Sequence, residues 1–293
     1  MTTPQGRRRR TLAAGLVVAA LVLVAVALVI TRSGDDDGED IQGGAAANLE
    51  HVHGVGVDPA DGAVYAGSHY GLFRVADDGD VEGPIADRVQ DYMGFTVAGP
   101  GHFLASGHPG EGQGGPGALG LIESTDAGRT WTSRSLGGEA DFHALEYRHG
   151  TVYGFNSMTG EFMVSTDLEN WETRAALPMG DFAVDPDDAD TIVATTEQGP
   201  ALSTDGGRSF EPVDGAPFLI LVSWADDALV GVDPEGVVYV ASDGPASFVR
   251  TGTLGGPPEA LDAESATTIH AAAHGRLLTS EDGGKTFTAH PDE

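Results

Sequence analysis

Beyond residue 48 the chain alternates short apolar segments with glycine, aspartate and proline. Residues 62–68 and 151–155 show the period of two that places apolar side chains on one face of a β-strand. Asp58-Pro59, Asp185-Pro186 and Asp233-Pro234 mark turns between such segments. The pattern therefore predicts an all-β domain over residues 49–293.

A motif recurs along this domain, strongly at residues 124–131, 203–210 and 280–287 and more weakly at 165–171 and 242–248. Its first serines are 41, 38, 39 and 38 residues apart, the length of one four-stranded propeller blade. A decayed copy at residues 75–80 brings the number to six, so we expect a six-bladed β-propeller. The glycine-rich residues 107–117 absorb the extra length before the copy at 124 and are predicted to form a loop.

The motif has a mechanical explanation. Its aspartate can accept hydrogen bonds from backbone N–H groups in a tight turn, and its glycine takes a positive φ at little cost. The aromatic residue that follows can bury a large apolar surface between neighbouring sheets. We therefore expect a structural role, in the hairpin between the third and fourth strands of each blade, for Ser124, Asp126, Gly128, Trp131, Ser165, Asp167, Trp171, Ser203, Asp205, Gly207, Phe210, Ser280, Asp282, Gly284 and Phe287.

The motif resembles the Asp-box, or BNR repeat, of sialidases, sortilin-type receptors and photosystem-assembly propellers. Residues 51–59, 92–97, 105–109, 121–128 and 141–143 also look like segments of an uncharacterised group of bacterial membrane-anchored Asp-box proteins. That group is commonly labelled glycosyl hydrolase. The resemblance implies a propeller of the sialidase-like superfamily, but not an activity, because such propellers host unrelated functions.

The first 48 residues have a different composition. Residues 11–30 form an uncharged, almost wholly apolar run between the arginines at 7–10 and the aspartates at 35–37. About 20 such residues span a bilayer, and the flanking charges place the N-terminus in the cytoplasm. We predict a cytoplasmic segment (1–10), a transmembrane helix (11–30), an acidic flexible tether (31–48) and an extracytoplasmic propeller.

A cleaved signal peptide is the alternative for this region. Residues 8–12 loosely resemble a twin-arginine start, and a peptidase could cut at the alanines 45–47. The sequence contains no cysteine, which excludes both a lipid-modified N-terminus and disulfide bonds.

The net charge of the chain limits the classes of partner that it can bind. All 45 acidic residues but only 10 of the 15 basic ones follow residue 32, so this part carries a net charge of 10 − 45 = −35. Such a field repels nucleic acid and anionic polysaccharide and favours cations and cationic partners. The alternative explanation of this excess of acidic residues is that it keeps the protein soluble.

We expect the protein to be a monomer.

If the motif turns share one face of the ring, the opposite face carries the loops that lead into first strands and those that join second to third strands. Histidines from three consecutive blades fall there, and neutral imidazole binds copper, zinc, nickel and iron. The predicted metal ligands are His51, His53, His69, His108 and His143. Methionine nearby would favour copper over zinc. The predicted ligand-binding residues around them are Asp91, Tyr92, Met93, Asp141, Asn156 and Met158. Hydrogen bonding of these histidines within turns is the alternative.

Two other functions are open. A glycoside hydrolase acting on a neutral sugar needs two suitably spaced carboxylates, and the candidates are Asp91, Asp141, Asp181 and Glu197. Sialidase activity is disfavoured, because the sequence places only Arg88 in a loop of the predicted site face and sialidases need an arginine cluster. The third hypothesis is a scaffold that binds or assembles proteins through its rigid faces.

Overall fold

The computed structural model describes residues 49, 51–76, 79–110 and 112–290. These residues form six four-stranded antiparallel sheets, as the repeat predicts for a six-bladed propeller. The predicted cytoplasmic segment (1–10), transmembrane helix (11–30) and acidic tether (31–48) lie outside the described residues. Within the described ranges, no helix is long and apolar enough to cross a bilayer.

Each sheet is built from four consecutive strands. The first three blades contain β1 (Val52–Val57), β2 (Val64–Ser68), β3 (Gly71–Val75), β4 (Val81–Glu82); β5 (Asp91–Gly99), β6 (His102–His108), β7 (Leu121–Ser124), β8 (Thr132–Ser135); and β9 (Phe142–Arg148), β10 (Thr151–Asn156), β11 (Glu161–Ser165), β12 (Glu172–Ala176). A short 3₁₀ turn, Ile85–Asp87, precedes β5.

The last three blades contain β13 (Phe182–Val184), β14 (Ile192–Thr196), β15 (Gly199–Ser203), β16 (Glu211–Pro212); β17 (Leu221–Ala225), β18 (Ala228–Val232), β19 (Val237–Ala241), β20 (Val249–Thr253); and β21 (Pro258–Ala263), β22 (Ile269–Ala273), β23 (Arg276–Ser280), β24 (Thr288–His290). The strand order shows no exchange of strands between blades in the described part of the chain. One prediction needs correction: residues 107 and 108 belong to β6, because Gly107 and His108 pair with Tyr92 and Asp91 of β5.

The core consists of six apolar clusters, one at each junction between adjacent blades. At the junction that closes the ring, Val52 and Val55 of the first blade pack with Ala260 and Ala272 of the sixth. Burial of this surface holds blades together that share no strand ladder.

The motif turns adopt the predicted hairpin position and share a hydrogen-bond pattern. The Ser203 hydroxyl donates to Asp205 Oδ1 at 2.8 Å and accepts the N–H of Gly207 at 2.8 Å. Both Asp205 oxygens then hold Ser209, at 2.9 Å from its N–H and 2.6 Å from its hydroxyl. Gly207 has a φ of +83°, and a Cβ there would lie 2.3 Å from the Phe162 ring of the preceding blade. The glycine therefore permits both the turn and the close packing of the blades.

The copies differ in how much of this pattern they keep. The turns at Ser124 and Ser280 reproduce it fully. In the turn at Ser165, one residue shorter, Asn170 takes the place of the last hydroxyl residue. The turn that contains Asp243 is held differently, by the Ser247 hydroxyl.

The motif aromatics pack as predicted, against the preceding blade. The Phe210 ring lies 6.0 Å from that of Phe162 in an edge-to-face arrangement. Trp171 packs in the cluster that joins the second and third blades and donates its indole N–H to Ser135 Oγ at 2.9 Å.

The innermost strands are also joined through side chains. A first strand has one edge without a strand partner, and its free N–H groups need acceptors. Side chains of the preceding blade supply them in the pairs Ser106 Oγ with Phe142 N, Glu146 Oε2 with Val184 N, Asp181 Oδ2 with Val222 N, Ser223 Oγ with Ala263 N, and Glu259 Oε2 with Val52 N, at 2.9–3.0 Å. These bonds cross five of the six blade junctions and fix those blades in register.

Candidate functional site

The six first strands surround a central channel of about 570 Å³. The hairpins between third and fourth strands lie on one face of the ring, here called the turn face. The opposite face is formed by the loops leading into first strands and those joining second to third strands. Because the histidines described next gather there, we call it the histidine face.

The structure brings all five predicted histidines to one sector of this face. His53 lies on β1 and His143 on β9, where both line the channel. His69 lies in the turn between β2 and β3, and His108 ends β6. His51 precedes β1, with its ring 5.3 Å from that of His69. The convergence predicted from the repeat is therefore present in the structure.

The closest contact in this group joins two imidazoles. His53 Nε2 lies 3.2 Å from His69 Nε2, and the ring planes are 74° apart. His69 Nδ1 lies 2.7 Å from Asp91 Oδ1. If Nδ1 carries the proton that Asp91 accepts, Nε2 of His69 presents a lone pair toward His53. Ligand atoms of His53, His69 and Asp91 all lie within 4.8 Å of one another.

Two carboxylates extend this pair into a chain across three blades. Asp91 Oδ2 accepts from His108 Nδ1 at 3.0 Å, so one carboxylate holds two imidazoles. The other nitrogen of His108, Nε2, lies 3.6 Å from Asp141 Oδ2, which also accepts from His143 Nε2 at 2.9 Å. The sequence of contacts is thus His53, His69, Asp91, His108, Asp141 and His143.

Asp141 is fixed from behind by the loop between β10 and β11. Its backbone N–H donates to Asn156 Oδ1 at 3.1 Å, and the Ser157 hydroxyl donates to Asp141 Oδ2 at 3.3 Å. Burial acts to raise the pKa of Asp141, but the hydrogen bond from His143 and the proximity of His108 lower it on balance. Its Oδ1 is buried and has no hydrogen-bond partner among the described residues. Asp141 is therefore an ionised carboxylate that holds two imidazoles.

Burial is the main cause of an unusually low pKa at His53. Desolvation and the neighbouring His69 lower this pKa to about 4, and His143 and His51 act in the same direction. His53 is therefore neutral at physiological pH and can offer a nitrogen lone pair.

The other predicted ligand-binding residues fall in different surroundings. Met93 lines the channel together with His53 and His143. Tyr92 is only 1 % exposed and packs in the apolar core, with its ring 5.3 Å from that of Trp131. The prediction that Tyr92 contacts a ligand is therefore wrong, because β5 turns this side chain into the junction with the first blade.

The structure gives two further predicted ligand-binding residues, Asn156 and Met158, other positions than expected. Asn156 is buried and supports the Asp141 backbone, so it positions the cluster from beneath. Met158 is 58 % exposed and does not line the channel. It belongs to the outer part of the histidine face.

The candidate catalytic carboxylates do not form a free pair. Asp91 and Asp141 are occupied by imidazoles. Asp181 accepts the backbone N–H groups of Phe182 and Val222, each at 2.9 Å. Glu197 is exposed in the loop between β14 and β15 and does not line the channel.

The channel wall contains charged residues that the sequence argument missed. Glu146 and Asp262 lie on first strands, and burial raises their pKa values to about 7 and about 6. Arg148 donates to Glu146 Oε1 and reaches from the third blade to the Trp224 carbonyl of the fifth, both at 2.9 Å. The sequence did contain an indication of these residues: first strands line the channel, so a charged residue within a predicted first strand is expected to face it.

The prediction that Arg88 alone supplies a basic side chain near the site also needs correction. Arg148 lies in the channel, and Arg276 begins β23 beside the histidine face, in addition to Arg88. Arg148 is paired with Glu146 at the end of the channel away from the histidines.

No family model and no curated protein matches the sequence. Among solved structures, the chain is similar to a gluconolactonase from Xanthomonas campestris, with 12 % identity over 85 % of this chain and 96 % of that one and a TM-score of 0.60. It is similar to a chain of a nidogen/laminin complex, with 10 % identity over 77 % and 91 % of the two chains and a TM-score of 0.59. It is also similar to YCF48 bound to D1 peptide, with 17 % identity over 87 % and 86 % and a TM-score of 0.51. At these identities the likeness shows the fold alone, and it agrees with the sheets described above: the chain is a six-bladed β-propeller.

Proposed function

We propose that this propeller binds a transition metal ion at the mouth of its channel, with His53 and His69 as the central ligands. The observation that carries the proposal is the 3.2 Å separation of the two Nε2 atoms. Two nitrogens bound at about 2.0–2.1 Å to a tetrahedral ion lie about 3.3–3.4 Å apart, so an ion fits between these atoms with little movement.

The surroundings of the pair support a metal site. Asp91 accepts from the Nδ1 side of His69, the arrangement that orients a histidine toward a metal and strengthens it as a ligand. The His51 ring lies 5.3 Å from that of His69, and His143 and Met93 line the same channel as His53. A donor set rich in imidazole suits copper and zinc, and a nearby thioether favours copper.

This arrangement favours metal binding over glycoside hydrolysis. A glycosidase needs one carboxylic acid and one free carboxylate facing a sugar. Asp91 and Asp141 instead accept hydrogen bonds from imidazoles on the site side, which is the role of carboxylates that support metal ligands.

The test is elemental analysis of the full-length protein, purified without chelators or metal-affinity resin, followed by titration of the stripped protein with Cu²⁺ and Zn²⁺. One ion per chain is expected, with affinity reduced at least about tenfold in His53→Ala and His69→Ala. His102→Ala is the matched control, since His102 is also a partly exposed imidazole paired with a carboxylate, Glu123, but begins β6 on the turn face. Weak binding of both metals, or an equal loss in the control, would contradict the proposal.

We propose a second function for the same face, the binding of a protein or peptide partner. Tyr70, Val89, Met158 and Phe218 are large apolar side chains exposed in its loops. Two similar propellers have been solved with partners, YCF48 with D1 peptide and nidogen with laminin. Both facts support a recognition role for a rigid ring of loops.

We further propose that residues 11–30 anchor the propeller to the outer surface of a membrane and that the chain is an Asp-box propeller. The apolar run and its flanking charges support the anchor. The shared serine–aspartate–glycine hydrogen bonds of the turns at Ser124, Ser203 and Ser280 support the repeat assignment. Protease accessibility of the propeller in intact and in permeabilised cells tests the anchor and its orientation.

A further inference from the structure

Exposed apolar side chains are concentrated on the histidine face. Tyr70, Val89, Met158 and Phe218 are 46–58 % exposed and lie in its loops. Val249, the other large hydrophobic side chain exposed within the described residues, lies on the outer strand β20. Since four of the five large apolar side chains exposed among the described residues lie on this face, it is the candidate interaction surface.

The same loops carry an excess of negative charge. Exposed carboxylates occur in five of them, at Asp87, Glu139, Glu197, Asp214 and Glu235. Among the described lysines and arginines, this face carries the partly buried Arg88, whose Nε donates to Gln90, and Arg276 at the start of β23. The histidine face therefore carries exposed carboxylates in addition to its apolar side chains, and these five carboxylates are here called the acidic rim.

We propose that the histidine face binds a cationic polypeptide segment that carries apolar side chains, an inference that rests on the second proposed function. Apolar residues of the partner would cover Tyr70, Met158 and Phe218, while its lysines and arginines would lie over the rim carboxylates. Charge complementarity of this kind guides association and selects partners.

Charge also decides against other occupants. A second copy of the propeller would bring its own acidic rim against this one, within an outer region of net charge −35. An anionic membrane surface or a nucleic acid would be repelled in the same way. A basic, partly apolar polypeptide satisfies both features of the face.

The test measures fluorescence anisotropy of labelled twelve-residue peptides with the full-length protein. Four peptides separate the contributions: alternating Lys and Trp, alternating Lys and Gly, alternating Ser and Trp, and alternating Glu and Trp. The Lys–Trp peptide is expected to bind at least about tenfold more tightly than each of the others at physiological salt.

Variants locate the binding surface. Tyr70→Ser combined with Phe218→Ser is expected to weaken Lys–Trp binding by about tenfold, because exposed aromatic residues are frequent energetic centres of interfaces. Val249→Ser removes an even more exposed apolar side chain from the outer strand β20 and should leave binding unchanged. Equal losses in the two variants, or equal binding of the Lys–Gly peptide, would overturn the proposal, because binding would then be general electrostatic attraction.

The same experiment tests the cationic class of the partner separately from the two proposed functions, partner binding and metal binding. Tight binding of the Ser–Trp peptide, with the same loss in the double variant, would keep the face as a partner site and refute the cationic class. If no peptide bound, both the partner site and the cationic class of the partner would be refuted. His53→Ala is expected to retain Lys–Trp binding while losing metal, so failure of the metal proposal shows separately.

Discussion

The carboxylate of Glu259 accepts the backbone N–H of Val52, 207 residues earlier in the chain, at 3.0 Å. Its second oxygen accepts the N–H of Gly275 at 2.9 Å, so this side chain joins the sixth blade to the first. Since no strand is exchanged between the two ends of the described chain, the ring closes through this contact and the apolar cluster beside it.

Replacement of Glu259 by alanine should therefore loosen the closure. It leaves the N–H groups of Val52 and Gly275 without their acceptor, at a cost of about 1–3 kcal/mol in the free energy of unfolding. Urea unfolding followed by tryptophan fluorescence measures the change. Glu211→Ala, at an exposed glutamate of β16, is the control and should shift stability by less than about 0.5 kcal/mol. Equal stability of the two variants would show that apolar packing alone closes the ring.

Asp91→Asn tests the support of the proposed metal ligands. One asparagine nitrogen would face a histidine N–H in place of an acceptor oxygen, so either His69 or His108 loses its partner. Metal affinity should fall about 10–100-fold while the circular dichroism spectrum stays unchanged. Asp87→Asn, at an exposed position of the 3₁₀ turn that precedes β5, should keep the affinity of the unaltered protein.

Asp262→Asn should make the protein more stable at neutral pH. Burial raises the pKa of Asp262 from 3.8 to about 6, against the opposing effect of His270. The folded state therefore binds this proton more tightly than the unfolded state, and stability is lost as pH rises from about 4 to about 6. The variant removes that loss, worth at most about 3 kcal/mol above pH 7, and should gain nothing at pH 3.5.

Thermal unfolding of both proteins across pH 3.5–8 checks this expectation. Asp243→Asn, at an exposed aspartate in a turn-face hairpin, provides the matched control. If the gain at Asp262 were the same at every pH, a change in packing rather than the ionised carboxylate would be responsible.

Asp282→Ala should reduce resistance to acid. Hydrogen bonds from the backbone and side chain of Thr286 lower the pKa of Asp282 to about 2. A carboxyl group with a lowered folded-state pKa stabilises the protein above pH 4 and loses this contribution as the pH falls toward 2. The variant should have a lower melting temperature at pH 7, and the difference should vanish near pH 2. A constant difference at all pH values would contradict the electrostatic explanation.

The fold was predictable because the repeat acts locally. The serine, aspartate and glycine of each motif turn contact one another within a few residues, so their spacing alone gave the blade length and the position of the hairpins. The convergence of His53 and His69 followed from the same register. Tyr92 could not be placed in this way, since a bulge in β5 between Tyr92 and Gly94 changes which side chains face the channel.

The interior of the channel was less accessible from the sequence. Glu146 and Arg148 contact the fourth and fifth blades, respectively, at positions that depend on the curvature of the ring. Neither residue belongs to a local motif. Their role follows only from the packing of blades far apart in the chain.

Arg148 reaches across the channel at the end opposite the histidines, from the third blade to the fifth. This side chain narrows the base of the bore, so an ion bound at His53 would exchange more readily through the opening at the histidine face. A polypeptide resting on that opening would lie over the exit. Binding of the polypeptide would therefore lengthen the residence time of the ion.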